Sequence, residues 1–310
     1  MTTPRVILAR DIRAAEGGSE RLTRAARRGE LTRVARGVYA ATAAWQAVSP
    51  EARHRALAAV LAPGPPGSGF SHETAAALHG IPFVGDWPDR LCSTVAPGSG
   101  DSSGVMRRTR LSLDGDDLTT VDGIPVTTSV RTAVDLAMRR SLLAGIVAVS
   151  HVRHLGVTRD AIDAAITARG AAAGVRRARI ALARSSAQSE SPLESLVLAR
   201  CEDLGFVPPA QQTEVIGLDG RAYRCDFSWC DGQIIVEADG RGKYRDATML
   251  AGRTPDEVLW AEKRREDAIR PTRRAFIRIG WTDAYRGTEL ERRLAAVGVP
   301  RPGRRRPLTF

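Results

Sequence analysis

The chain has 310 residues, of which 43% are hydrophobic, so it is long enough for two or three domains with substantial cores, which excludes disorder throughout. No apolar run approaches the roughly 20 residues of a membrane helix, and the N-terminus has no apolar stretch like that of a signal peptide. We therefore expect a cytoplasmic protein with no membrane partner.

The net charge of +11 is concentrated at the two ends of the chain. Residues 1–40 hold nine arginines against four acids, and residues 301–310 hold four arginines and no acid. Clustered cations favour a polyanion partner, most often nucleic acid, although a basic tail can also serve only to keep a chain soluble. We expect DNA as the partner.

The cysteines and histidines show no metal-binding spacing. The four cysteines are Cys92, Cys201, Cys225 and Cys230. They include no Cys-x-x-Cys pair and are too sparse for a disulfide framework, so we expect buried, reduced thiols and no zinc. His72-Glu73 begins like a zinc-protease helix, but Ala76 stands where that motif needs its second histidine. Ser71 as a helix cap, with Glu73 near the positive end of the helix dipole, accounts for these residues more simply.

Residues 1–45 are predicted to form the first domain, around an arginine-rich helix. The helix is predicted over residues 19–28, because Ser19 can cap it and Gly29 can end it. Leu22 lies on its apolar face, and arginines occupy much of the remaining surface.

A small hairpin follows this helix, with strands predicted over residues 31–34 and 38–40. With a preceding helix around residues 10–15, these elements would form a winged helix-turn-helix, which places its second helix in the major groove while the wing touches phosphate. The alternative is a solvated, arginine-rich helix. On the DNA-binding interpretation, the contacting side chains are Arg21, Arg24 and Arg28 on the helix and Arg33 and Arg36 on the wing.

Residues 46–184 are predicted to form an α/β middle domain. A helix over residues 50–61 opens it and runs into a Pro/Gly-rich loop. Further elements are short strands over residues 90–95 and 124–126 and Ala-rich helices over residues 131–138 and 158–168. The Ser-rich residues 185–190 are predicted to be a linker to a third domain over residues 191–310.

Three stretches of this region resemble AbiEi-type antitoxin proteins, which pair a winged helix-turn-helix with a further domain. They are residues 28–39 (RGELTRVARGVY), residues 71–76 (SHETAA) with His79-Gly80, and residues 124–132 (IPVTTSVRT). The likeness covers roughly residues 5–185. It implies DNA binding, autoregulation of an operon and a cognate toxin as a partner, and it supplies no catalytic residues.

The third domain, residues 191–310, opens with a helix. Ser191 caps it, Pro192 occupies the first helical position and Glu194 follows three residues after the cap, which is a capping box. Apolar residues then recur at helical spacing until Gly205 closes the helix. Capping its own helix is therefore a sufficient role for Glu194.

A β-hairpin follows and carries the sharper chemical signal. Residues 223–229 and 233–239 alternate as strands, and Asp231-Gly232 is a two-residue hairpin turn, which places Asp226 directly opposite Glu237. One predicted face is apolar and carries Tyr223, Cys225, Phe227, Trp229, Ile234, Val236 and Ala238. The other predicted face carries Arg224, Asp226, Glu237 and Asp239.

Directly facing like charges destabilise a strand pair by up to about 1 kcal/mol, with β-carbons roughly 5 Å apart. A hard divalent cation such as Mg²⁺ or Mn²⁺, bound by Asp226 and Glu237, would offset this repulsion. The alternative is a solvated sheet face on which Arg224 neutralises one acid.

A second capping box, Thr254-Pro255-Asp256-Glu257, predicts a helix to about Arg270, and a strand follows near residues 276–279. The order helix, three strands, helix, strand resembles the core of PD-(D/E)XK nucleases over about residues 188–285. Four stretches resemble Vsr-like endonuclease domains: residues 191–194 (SPLE), 225–227 (CDF), 236–240 (VEADG) and 262–267 (EKRRED). This resemblance implies a restriction-endonuclease-like α/β fold.

By this resemblance, Asp226 and Glu237 would be metal ligands and Glu194 an accessory acid. Asp239 stands where the family has its lysine. Either Asp239 joins the metal site, or Lys263 supplies the positive charge beside the phosphate or the attacking water.

Two further cations are candidates for that region. Arg265 could bind phosphate, or it could form a salt bridge with Asp267 or Glu262 on the same helix. Lys243 is a weaker substitute. The sequence thus predicts a DNA-binding protein with a metal-dependent endonuclease-like domain; the alternative is a non-enzymatic antitoxin or transcriptional repressor whose nuclease-like domain is silent.

Overall fold

The computed structural model describes residues 4–11, 18–99, 102–240, 254–273 and 275–302, and over these ranges it is mixed α/β, as the sequence predicts. The chain divides into two compact units, residues 1–148 with 159–179 and residues 149–158 with 180–310. Within the described ranges, no helix is both long enough and apolar enough to cross a membrane.

The helices and strands are as follows in chain order. The first part of the chain forms β1 (Val6–Leu8), α1 (Gly18–Arg27), β2 (Leu31–Ala35), β3 (Val38–Ala41), α2 (Thr42–Ala47), α3 (Pro50–Ala58), β4 (Gly69–Phe70), α4 (His72–His79), β5 (Leu91–Val95), β6 (Met106–Arg110), β7 (Leu118–Val121), β8 (Ile124–Thr127), α5 (Ser129–Arg139), α6 (Leu142–His154), α7 (Arg159–Thr167) and α8 (Val175–Arg184). The second part forms α9 (Pro192–Asp203), β9 (Ala210–Ile216), β10 (Ala222–Trp229), β11 (Ile234–Ala238), α10 (Pro255–Ile269), β12 (Ala275–Ile279), α11 (Trp281–Arg286) and α12 (Thr288–Ala296).

The N-terminal part of the first unit is a three-stranded antiparallel sheet in the order β1-β3-β2, with α1 against β2. Helix α1 buries Leu22, and the chain leaves the helix at Gly29, whose φ of 78° glycine adopts at little cost. The predicted helix and hairpin are therefore confirmed to within one residue. Of the predicted preceding helix, residues 10 and 11 belong to the short 3-10 turn Ala9–Asp11, and the rest lies outside the described residues.

A second sheet of the first unit has five strands in the order β6-β5-β4-β8-β7. Ala35 and Val38 of the N-terminal hairpin share a hydrophobic core with Leu57 and Phe70. The domain boundary predicted at residue 45 therefore falls inside this unit, because the apolar face of the hairpin is buried by elements that follow it in the chain.

Ser71 does not make the predicted cap, whereas Glu73 lies in the first turn of α4 as predicted and also belongs to a buried ion-pair cluster. Ser71 is the N-cap residue of α4, but its side chain makes no capping hydrogen bond. Glu73 is fully buried, forms ion pairs with Arg140 and Arg107, and accepts a hydrogen bond from the Cys92 thiol at 3.3 Å. Burial acts to raise the pKa of Glu73, but the hydrogen bond and charge of Arg140 outweigh it and hold that pKa below its ordinary value.

The second unit is built on a four-stranded sheet in the order β12-β11-β10-β9, in which β11 and β12 are parallel and the other pairs are antiparallel. The predicted order of helix, three strands, helix and strand is confirmed from α9 to β12. Ser191 and Thr254 both cap their helices, since Ser191 Oγ accepts from the Glu194 amide at 3.2 Å and Thr254 Oγ1 accepts from the Glu257 amide at 3.3 Å. The predicted capping box is complete at Thr254 only, because the Glu194 carboxylate accepts from the Glu190 amide in place of the Ser191 amide.

The hairpin of β10 and β11 has the predicted register. Phe227 pairs with Val236, and Asp231 and Gly232 form the turn with φ values of 54° and 78°, which are typical of a type I′ hairpin. Cys230 precedes this turn and is exposed, so the expectation that every thiol is buried is wrong at this position.

Residues 185–190, predicted to be a linker, are folded onto the second unit. Ser189 is buried, Ser185 Oγ accepts from Arg153 Nη1 at 2.9 Å, and Ser186 donates to Gln211 Oε1 at 2.6 Å. The serines of this stretch are therefore structural hydrogen-bonding groups, and the division between the two units falls at residues 179 and 180 instead.

Candidate metal and nucleic-acid site

Asp226 lies at the point where the central strands β10 and β11 separate. The paired residues of the two strands begin at Phe227, and the Asp226 side chain enters the gap before them. Its Oδ2 accepts a hydrogen bond from the backbone amide of Ala238 at 2.8 Å, in place of a backbone carbonyl. Asp226 is half-buried, and its orientation is fixed by β11.

Glu237 lies on β11 and is held by an arginine from α10. Its side chain is 12% exposed, and its Oε1 accepts from Arg265 Nη2 at 2.8 Å. Arg265 also donates to the backbone carbonyl of Arg224 at 2.6 Å and forms an ion pair with Glu262 at 3.2 Å. Arg265 therefore joins α10 to both central strands, and the salt bridge to Glu262 that the sequence left open is present.

Burial and neighbouring charge act together on Glu237. Burial raises its pKa above the ordinary value, the negative charge of Asp226 raises it further, and Arg265 opposes both. The two carboxylates therefore interact electrostatically, as the facing positions predict, and the positive charge beside them comes from Arg265.

The predicted division into one apolar and one charged face is wrong. Cys225 is predicted to lie on the other sheet face from Glu237. In the structure it shares a core with Ile235, and its sulfur is 3.8 Å from Arg265 Nη2. Strand alternation breaks at Asp226, since Gln212 on β9 has a φ of 51° and the pairing of β9 with β10 skips both residues. Every residue of the central strand β11 is buried, so both faces of the sheet are covered at this strand.

Glu194 is buried at the start of α9, and both of its carboxylate oxygens are engaged. Its Oε1 accepts from the Ser191 hydroxyl at 2.7 Å, and its Oε2 accepts from the Glu190 amide at 2.9 Å and from Gln212 Nε2 at 3.0 Å. Burial raises the pKa of Glu194, with a smaller contribution from Asp226. Glu194 therefore accepts from the hydroxyl that caps its own helix, and the negative charge of Asp226 acts on it.

Asp239 is engaged by a different arginine. Arg278 on β12 forms ion pairs with Asp239 at 3.4 Å, with Glu262 at 2.7 Å and with Glu266 at 2.9 Å. Arg224, predicted to share a sheet face with Asp239, forms an ion pair with Glu190 at 2.8 Å. Asp239 is thus tied to Arg278 on β12.

Lys263, the lysine predicted to supply the positive charge, is exposed on α10. Its Nζ lies 5.4 Å from the centre of the Trp260 ring on the exposed face of α10. Glu262, Arg265 and Glu266 share the opposite face with the buried Ile269. That spacing of three, four and seven residues is the signal that selects Arg265 over Lys263. Lys243 lies outside the described residues.

The two carboxylates fit a cation held mainly by water and phosphate. Asp226 Oδ2 accepts from the Ala238 amide and Glu237 Oε1 accepts from Arg265, and the Cys225 thiol also forms a hydrogen bond with Glu237. No group of three His, Cys, Asp or Glu side chains that could hold a metal ion occurs among the described residues. Mg²⁺ commonly takes one or two carboxylates and completes its octahedron with water and phosphate oxygens.

The arginines predicted to contact DNA are exposed on the N-terminal part of the first unit. They are Arg21, Arg24, Arg28, Arg33 and Arg36. Arg28 lies just beyond the end of α1, and its guanidinium forms an ion pair with Glu30 at 2.7 Å, so its charge is already partnered. Arg27, in the last turn of α1, is also exposed.

No protein-family model matches the sequence, and no curated protein matches it. Among solved structures, the chain is similar to the crystal structure of RV2827C protein from Mycobacterium tuberculosis, with a TM-score of 0.38 and 16% sequence identity. That similarity covers 62% of this chain and 75% of the other. A similarity of this size assigns neither a fold nor a function.

Proposed function

We propose that this chain is a DNA-binding protein whose second unit hydrolyses phosphodiester bonds with Mg²⁺ or Mn²⁺ held by Asp226 and Glu237. The observation that carries the proposal is the pair itself, two acids brought together where the central strands separate, with the pKa of Glu237 raised. The order of elements from α9 to β12 supports the likeness to PD-(D/E)XK and Vsr-like nucleases.

Each residue of the site has a definable part in this chemistry. The Ala238 amide fixes the orientation of Asp226, and Arg265 fixes that of Glu237. Arg265 also adds positive charge where a phosphodiester would approach. A divalent cation bound there would polarise a phosphoryl oxygen and lower the pKa of water.

Mg²⁺ or Mn²⁺ should raise the melting temperature of the wild-type protein, because a ligand bound only by the folded state stabilises that state. At a ligand concentration of a hundred times the Kd, the free energy of unfolding rises by about 2.7 kcal/mol. Asp226→Asn should abolish this shift, because it removes the negative charge. The side-chain oxygen of the asparagine can still accept the hydrogen bond from the Ala238 amide. Asp267→Asn, on the exposed face of α10, is the matched control and should keep the shift. A full metal response in Asp226→Asn would place any cation site elsewhere.

For the first unit we infer that α1 and the β2–β3 hairpin act as a winged helix-turn-helix of the AbiEi-antitoxin type. The exposed arginines on α1 and on the hairpin support this, since such motifs place cations against phosphate.

The Arg21→Ala, Arg24→Ala double variant should flatten the salt dependence of duplex DNA binding. Each lost phosphate contact removes about 0.9 from the log-log slope, so the expected change is about 1.8. Arg176→Ala with Arg179→Ala, which removes two exposed arginines of α8, is the control. Equal slopes for both double variants would remove α1 from the interface.

A specific contact favours a second candidate, a non-enzymatic repressor or antitoxin with a silent second unit. Arg265 already forms an ion pair with Glu237, and Lys263 lies over the Trp260 ring on the exposed face of α10. In that case the protein would bind DNA and a cognate toxin without hydrolysis.

A further inference from the structure

Helix α11 carries two exposed aromatic side chains directly after β12. Trp281 is 39% exposed and Tyr285 is 54% exposed. They are four residues apart, so they lie on the same face of the helix. Neighbouring aromatic rings left open to solvent mark an interaction surface more often than isolated ones do.

The parallel pairing of β11 and β12 places the start of this helix beyond the end of β11 that carries Glu237. Glu237 is the partner of Arg278, and the Asp239 amide donates to the Ile279 carbonyl at 2.9 Å. Trp281 follows Arg278 by three residues, which is about 10 Å along an extended chain. This distance equals about three steps of a stacked DNA strand at roughly 3.4 Å each.

The charges around the aromatic pair suit a polyanion. Asp283, the acid of α11, forms an ion pair with Arg293 at 3.3 Å and accepts from the Gly280 amide. Arg286 is exposed beside Tyr285 and forms no ion pair within the described part of the chain. The helix therefore offers two rings on one face and a cation on the adjoining face.

We propose that Trp281 and Tyr285 form a stacking surface for unpaired bases of single-stranded DNA. Aromatic faces stack on any base, whereas the faces of bases inside a duplex are already covered. The inference rests on the proposed function, because that function places the DNA backbone beside Asp226 and Glu237. It specifies the substrate class as DNA with an unpaired segment beside the reacting phosphate.

Fluorescence anisotropy with labelled oligothymidylate tests this surface in EDTA, where no cleavage can occur. Trp281→Ala and Tyr285→Ala should each weaken binding about tenfold, and Trp281→Phe should retain most of it. Trp260→Ala is the control, because Trp260 is also exposed in this unit but has Lys263 over its ring. An abasic strand of equal length should bind all variants alike.

Equal losses in Trp281→Ala and Trp260→Ala, or an equal loss on duplex and single-stranded DNA, would overturn the proposal. The Asp226→Asn protein should show the same Trp281 dependence as the wild type. Loss of metal binding or cleavage with the base-stacking effect intact would therefore refute only the proposed enzyme. Cleavage with no Trp281 effect would refute only the stacking surface.

Discussion

Replacing Arg265 with Met is expected to destabilise the second unit at neutral pH by about 2–3 kcal/mol. Removing one partner of a buried pair costs about 3–5 kcal/mol, and the 19% and 12% exposure of Arg265 and Glu237 reduces that figure. The loss arises because Glu237 remains buried beside Asp226 with no cation. Mg²⁺ should restore part of the lost stability, since it supplies the missing positive charge.

The same variant should show a distinct pH dependence. A carboxyl whose pKa is raised in the folded state favours the protonated folded protein. Its contribution to the free energy of unfolding is therefore complete below the unfolded pKa of about 4.5 and is lost as the pH rises through the folded pKa. Without Arg265 the folded pKa of Glu237 should rise further. The stability difference from wild type should therefore be small near pH 4 and reach its full size by about pH 8.

Urea unfolding across this pH range measures the effect. Arg292→Met is the control, because Arg292 forms an exposed ion pair with Glu289 on α12 and should cause only a small loss. A loss in Arg265→Met that is the same at every pH and does not respond to Mg²⁺ would show that Arg265 serves packing alone.

The register of the β10–β11 hairpin could be predicted because two local rules determine it. The Asp231-Gly232 turn fixes which residues face each other, and the period of two carries that pairing along the strands. The faces could not be predicted in the same way, because the Asp226 side chain takes an amide of β11 and interrupts the alternation. A side chain that replaces a backbone acceptor leaves no mark in a hydropathy pattern.

The cation of the site was partly predictable. Family likeness drew attention to Lys263, whereas helical periodicity from the buried Ile269 places Arg265 on the face toward the sheet. The role of residues 185–190 could not be inferred from composition, since Ser-rich segments are common in linkers, and the contacts with Arg153 and Gln211 show that this one is folded.

Conversion of supercoiled plasmid to nicked circles in the presence of Mg²⁺ or Mn²⁺ tests the central claim most directly. Wild-type protein should nick the plasmid, and Asp226→Asn or Glu237→Gln should lower the rate at least a hundredfold, because loss of a metal ligand costs more than the roughly 10- to 100-fold of a supporting residue. Asp267→Asn should cut at the wild-type rate. Intact plasmid with wild-type protein and either cation, or cutting by Asp226→Asn at the wild-type rate, would contradict the proposed activity.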